Sequence, residues 1–225
     1  MTVLNALITD KRAWIAQDHA SYRNDRLPGI NTSAADYALR PEHMGDMNKV
    51  LVFPDQRLLV GGAGTLIYFQ AWAETVRETG GDIDALAKVA PEVLRGLLRD
   101  FPAPTAEIRI LLAGYSETQG KVIGLLFDWQ SDFDPQELPS GAVVHSPHLD
   151  ADAPGADKLE ELGASAEHGE RVPELFDAMF TNQRWQADHK RIRAGVLLSD
   201  GYTLASVDRD GARVVSPREQ LAVAG

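Results

Sequence analysis

Blocks of strands joined by tight turns, and separated by pairs of helical patterns, predict an α+β fold of antiparallel sheets with helices layered on them. Three observations carry that expectation. Short apolar runs rich in Val, Ile and Leu, bounded by charged or Gly/Pro turn residues, occur at both ends and in the middle of the chain. Between them, residues 66–100 and 158–190 show apolar residues at helical spacing. No internal repeat divides the sequence, and 225 residues suffice for one core, so a single domain over 1–225 is expected.

The first hairpin joins Val3–Ile8 to Ala13–Ala16 through Asp10, Lys11 and Arg12, with Asp18 just beyond. If these strands pair, the chain start and Asp18 lie near each other. Removing Met1 would expose Thr2, which then carries a hydroxyl and a free amine on neighbouring atoms. A threonine hydroxyl is a weak nucleophile until a base takes its proton. An α-amino group titrates near about 7.7–8.0, so a useful fraction is neutral near pH 7. Threonine activated by its own amine is an established form of nucleophilic catalysis.

Residues 19–48 are polar and rich in turn formers, a long excursion with a short helix expected near Ser33–Leu39. Lys49 opens a second hairpin, Val50–Phe53 and Arg57–Val60, turning at Pro54-Asp55-Gln56. It runs into Gly61-Gly62-Ala63-Gly64-Thr65, expected between strand and helix, where small residues let a backbone approach a ligand. Tight strand–helix packing explains these glycines equally well. Their spacing matches neither common phosphate loop and no lysine follows, which excludes nucleotide binding. A helix follows through Trp72 and Val76 to Gly80-Gly81. The next spans 82–100, with a break or restart expected at Pro91. Residues 101–104 read as a linker. Strands are expected at Glu107–Ala113 and Val122–Trp129, around a turn at Glu117–Gly120. The Pro-, Asp- and Ser-rich stretch 130–157 holds one short strand, Ala142–His145. After the helical region, strands at Gly195–Leu198, Tyr202–Val207 and Arg213–Val215 close the chain, with Asp208–Gly211 as a hairpin turn.

The net charge of −11 disfavours a phosphate backbone or anionic lipid as partner. The absence of cysteine excludes disulfides, a Cys nucleophile and thiolate metal sites. No signal peptide and no span of roughly 18 apolar residues is visible, so a soluble cytoplasmic protein is expected. His145, His148, Asp150 and Asp152 are acceptable ligands for a divalent ion, but a proline-bearing surface loop accounts for them and no metal or other cofactor is assigned. The basic run His189–Arg193 suits a solvated helix C-terminus. The apolar stripes at Leu66–Val76 and Leu86–Leu98 exceed what one solvated face needs and predict a homo-oligomer.

Three segments together resemble the proteasome β-subunit family, threonine members of the N-terminal nucleophile hydrolases, and most of all its bacterial HslV-type peptidases. Thr2 through Asp18, ending Trp-Ile-Ala-Gln-Asp, is similar to the family's opening hairpin, including the separation of nucleophile and aspartate. Lys49-Val50 looks like its lysine at the head of the next hairpin. Leu59 to Thr65, followed by an aromatic-rich helix, resembles its glycine turn. The resemblance covers the first third of the chain. It implies a four-layer αββα sandwich and a threonine peptidase acting on peptide or unfolded protein. It further implies a homo-oligomeric ring with an ATP-dependent unfoldase as partner.

By the same resemblance, Thr2 is nucleophile and, through its amine, general base. Lys49 sits beside the hydroxyl and favours its alkoxide, and Asp18 holds Lys49 charged and in place. The Ala63-Gly64 backbone, chiefly the Gly64 N–H, stabilises an oxyanion. The segment from Asp18 to Lys49 is longer than in close relatives by about a dozen residues, which would reshape the cleft. The family's later serine and aspartate have no clean match; Ser131, Ser146, Asp188 and Ser199 are candidates by rough location. Two other functions stand beside the peptidase: an inactive scaffold relative that keeps Met1, and a hydrolase of small amides.

Overall fold

The opening apolar runs form the expected hairpin. The computed structural model describes residues 3–23, 42–46, 49–64, 66–100, 108–189, 198 and 201–218. Twelve strands and four helices lie in that part of the chain: β1 (Leu4–Ile8), β2 (Arg12–Asp18), β3 (Ala20–Arg23), β4 (Glu42–Asp46), β5 (Leu51–Phe53), β6 (Leu58–Ala63), α1 (Leu66–Thr79), α2 (Ile83–Asp100), β7 (Arg109–Ser116), β8 (Lys121–Asp128), β9 (Gln136–Leu138), β10 (Ala142–Ser146), α3 (Ala156–Glu167), α4 (Val172–Asp188), β11 (Tyr202–Asp208) and β12 (Gly211–Arg218). They make an α+β fold with two five-stranded antiparallel sheets, ordered β10-β1-β2-β11-β12 and β5-β6-β7-β8-β9. β3 and β4 pair as a separate two-stranded ribbon at the ends of the long polar excursion.

Side-chain alternation along each strand sorts the core into layers. Leu4, Ala6, Ile8, Ala13 and Ile15 of the first sheet pack with Leu59, Ala63, Leu111 and Ala113 of the second. The alternate residues Leu7, Trp14 and Ala16, with Tyr202 and Leu204, face Leu162 of α3 and Leu175, Phe176 and Met179 of α4. On the far face of the second sheet, Leu58, Val60, Ile110, Leu112 and Phe127 pack with Tyr68, Trp72 and Val76 of α1 and Leu86, Ala90 and Leu94 of α2. The order of contact is therefore helix pair, sheet, sheet, helix pair.

Several expectations change. Of the stripes on α1 and α2, Tyr68, Phe69, Trp72, Val76, Leu86, Ala90 and Leu94 are buried in the protein's own core. α2 runs unbroken through Pro91. Proline in a helix interior costs about 3 kcal/mol, whereas burying each large aliphatic side chain contributes about 1.5–3 kcal/mol. Leu86 and Leu94, buried on either side of Pro91, outweigh the defect. Gly61, Gly62 and Ala63 are not a loop but the last residues of β6, opposite Leu111, Ile110 and Arg109 of β7. The stretch 130–157 holds two strands rather than one, because β8 offers its free edge to Gln136–Leu138. The helix expected at Ser33–Leu39, the linker 101–104 and the strand residues 195–197 lie outside the described residues.

Candidate active site

Asp18 ends β2 of the first sheet, and Lys49 stands two residues ahead of β5 of the second. The fold brings them together in the interior. The Lys49 ammonium donates to both carboxylate oxygens of Asp18, each at 3.2 Å, with the two side chains 6% and 1% exposed. The Val3 N–H, at the head of β1, donates to Asp18 Oδ1 at 3.1 Å. Burial raises the Asp18 pKa, and the Lys49 charge and the Val3 N–H pull it back only in part. Two opposite charges excluded from water thus depend on each other for compensation.

Gly64 follows β6 and precedes α1. Its φ of +114° lies where a side chain is strained, which accounts for glycine at the point where strand gives way to helix. The predicted nucleophile Thr2 lies outside the described residues. Its neighbour in the chain is Val3, whose amide meets Asp18.

The four residues considered as supports fall in different places. Ser146 is buried at the end of β10, opposite Leu4 of β1. Ser131 sits on a 3-10 turn after β8 and donates to the Asp128 carbonyl. Asp188 is exposed at the last residue of α4. Ser199 lies outside the described residues. Of the basic run, His189 caps α4 and stacks on Trp185, and 190–193 lie outside the described residues.

Gln17 is the residue that sequence reading overlooked. Fully buried, it donates to the Val3 carbonyl at 3.2 Å and to the Gly62 carbonyl at 2.5 Å, and accepts from the Gly62 N–H at 3.1 Å. A second polar group surrounds the loop after β10. Asn5 and Gln183 exchange two hydrogen bonds at 2.9 Å each. Gln183 and Gln186 donate to the carbonyls of Pro147 and His148, and Asn182 bonds both backbone groups of Asp150. Asn5, a lone amide in an apolar run, was the legible signal, since a buried amide must find partners.

The His145 and His148 rings meet edge to face with centroids 5.4 Å apart. Burial, and then the neighbouring His148, push the His145 pKa down. Among the described residues no three His, Cys, Asp or Glu side chains converge as a metal site. No described helix is long and apolar enough to cross a membrane. No family model matches the chain, and no curated protein matches it.

Proposed function

We propose that the chain has the four-layer αββα sandwich of the N-terminal nucleophile hydrolases and acts as a threonine amidohydrolase on peptide or unfolded protein. The observation that carries this reading is the buried Asp18–Lys49 pair whose carboxylate also holds the amide of the residue after Thr2. Burying two charges costs desolvation that their attraction barely offsets, so stability is a poor reason to keep such a pair. A cation held at the chain start has a use in chemistry there.

The steps follow from residue types. With Met1 gone, the neutral amine of Thr2 takes the proton of its hydroxyl as Oγ attacks the carbonyl carbon of the amide. The Lys49 ammonium favours the developing alkoxide, and Asp18 orients and compensates that charge. The oxyanion accepts a hydrogen bond from the Gly64 N–H. The C–N bond then breaks, and the departing amine takes the proton from the Thr2 ammonium. An ester remains on Oγ. Water, giving a proton to the same amine, hydrolyses it and restores the hydroxyl.

Intact mass should show loss of Met1, which the scaffold alternative forbids. Thr2→Ala should abolish amide hydrolysis and leave the fold intact, and a peptide vinyl sulfone or β-lactone should label the wild type at Thr2. Undiminished turnover by Thr2→Ala would overturn the assignment. With this reading go a homo-oligomeric ring, a cytoplasmic location and an ATP-dependent unfoldase as partner. Light scattering at micromolar concentration tests the ring, and a monomer mass removes it.

A further inference from the structure

Gln17 fills its hydrogen-bonding capacity almost completely, and with backbone groups alone. Both donors of its amide are used, on the carbonyls of Val3 and Gly62, and its oxygen takes the Gly62 N–H. Asp18, the next residue, takes the Val3 N–H. Two consecutive side chains on β2 therefore hold both polar backbone groups of Val3, the residue after Thr2. At its other end the Gln17 amide holds both polar groups of Gly62, two residues before Gly64.

The registered pairing of β5 with β6 stops at Leu51 opposite Val60, so β6 passes beyond its partner before Gly62. Gly61 lets the two sheets approach at this point: a Cβ there would lie 2.9 Å from Ile15 and 3.0 Å from Leu4. Into that contact β2 projects an amide instead of an apolar side chain, and the amide binds the first sheet to the second.

We infer that Gln17 is a positioning residue, which sets the separation between Val3, the residue after Thr2, and the strand leading to the Gly64 N–H. This inference rests on the threonine-nucleophile reading above. Attack and oxyanion capture require Thr2 and that N–H at one fixed spacing, and a misplacement of about 1 Å can lower a rate about a hundredfold. Gln17→Glu keeps the volume, but as a carboxylate it has no proton for either carbonyl. Gln17→Met keeps the length and removes every hydrogen bond.

The test uses the full-length protein, with loss of Met1 verified by mass, and a peptide vinyl sulfone as probe. In both variants the maximal inactivation rate at Thr2 should fall about a hundredfold, while the half-saturating probe concentration stays near that of the wild type. The backbone amide of Gly62 should exchange with deuterium faster. A change confined to stability, with the inactivation rate kept, would make Gln17 structural only and overturn the inference. Two variants guard against a misfolded one, and cooperative unfolding of each is checked first. A wild type that the probe leaves unlabelled overturns the nucleophile reading and this inference with it. Normal labelling of the variants overturns this inference alone.

Discussion

With side chains 1% and 6% exposed, Asp18 and Lys49 have little water to fall back on. Removing one member of such a pair strands the other, at about 3–5 kcal/mol. Lys49→Ala and Asp18→Asn should each lose that much stability in chemical denaturation. The double variant should recover most of the loss, without recovering activity. Small losses that simply add would mean an exposed pair, worth about 0–1 kcal/mol, and would remove the proposed site. The pH dependence at Asp18 has a defined sign. Burial raises its pKa, so the folded protein keeps a proton that the unfolded chain releases above about pH 3.9. Its contribution to stability is full below that value and is lost as pH rises through the folded pKa. Asp18→Asn should remove that slope.

The amide ladder belongs to whole elements, since it fastens α4 to β1 and to the loop after β10. Asn5 and Gln183 are both fully buried and exchange two bonds. An unsatisfied buried amide costs about 1–3 kcal/mol, whereas replacing both partners by apolar groups of similar shape can be nearly neutral. Gln183→Leu and Asn5→Leu should therefore each lower the denaturation midpoint, and the double variant should stand above the sum of the two losses. Additive losses would mean that the pair is not coupled. Because Gln183 and Gln186 also hold the Pro147 and His148 carbonyls, Gln183→Leu should raise amide exchange in the loop after β10 before the core responds.

At the scale of the molecule, two aspartates tie separate elements and respond to acid together. Asp208 accepts from Arg12 at 2.7 Å, from Arg213 at 3.1 Å and from the Asp210 N–H, which joins β2, β11 and β12 at one end of the first sheet. Asp84 of α2 accepts from the Ser116 hydroxyl and the Thr118 N–H at the β7–β8 turn. Partial burial pushes both pKa values up, but the hydrogen bonds outweigh it and hold them below the usual carboxylate range. A lowered folded pKa means that the unfolded chain binds the proton first on acidification. The contribution of these groups is full above about pH 3.9 and is lost as pH falls through their folded pKa values, opposite in sign to Asp18. In urea titrations across the acid range, Asp84→Asn/Asp208→Asn should flatten the loss of stability. An unchanged slope would place the acid response on other groups.

Periodicity is a property of neighbouring residues, and what rests on it was legible in the chain: β1, β2, β5 to β8, β10 to β12, the helices, and the α+β class. The order Asp18, Lys49, Gly64 was legible too, as a pattern. Burial of the pair was not, because Lys49 lies 31 residues from Asp18 and only the meeting of two sheets excludes water from both. The same holds for Gln17, whose partner Gly62 is 45 residues away, and for Asn5, whose partner is 178 away. β9 and the β3–β4 ribbon are short and exist through the strands beside them. Pro91 reads locally as a break, yet the helix continues because its apolar face is buried against the second sheet. The local pattern determined which elements form. The tertiary structure decided which polar groups are removed from water, because that depends on partners far away in the chain.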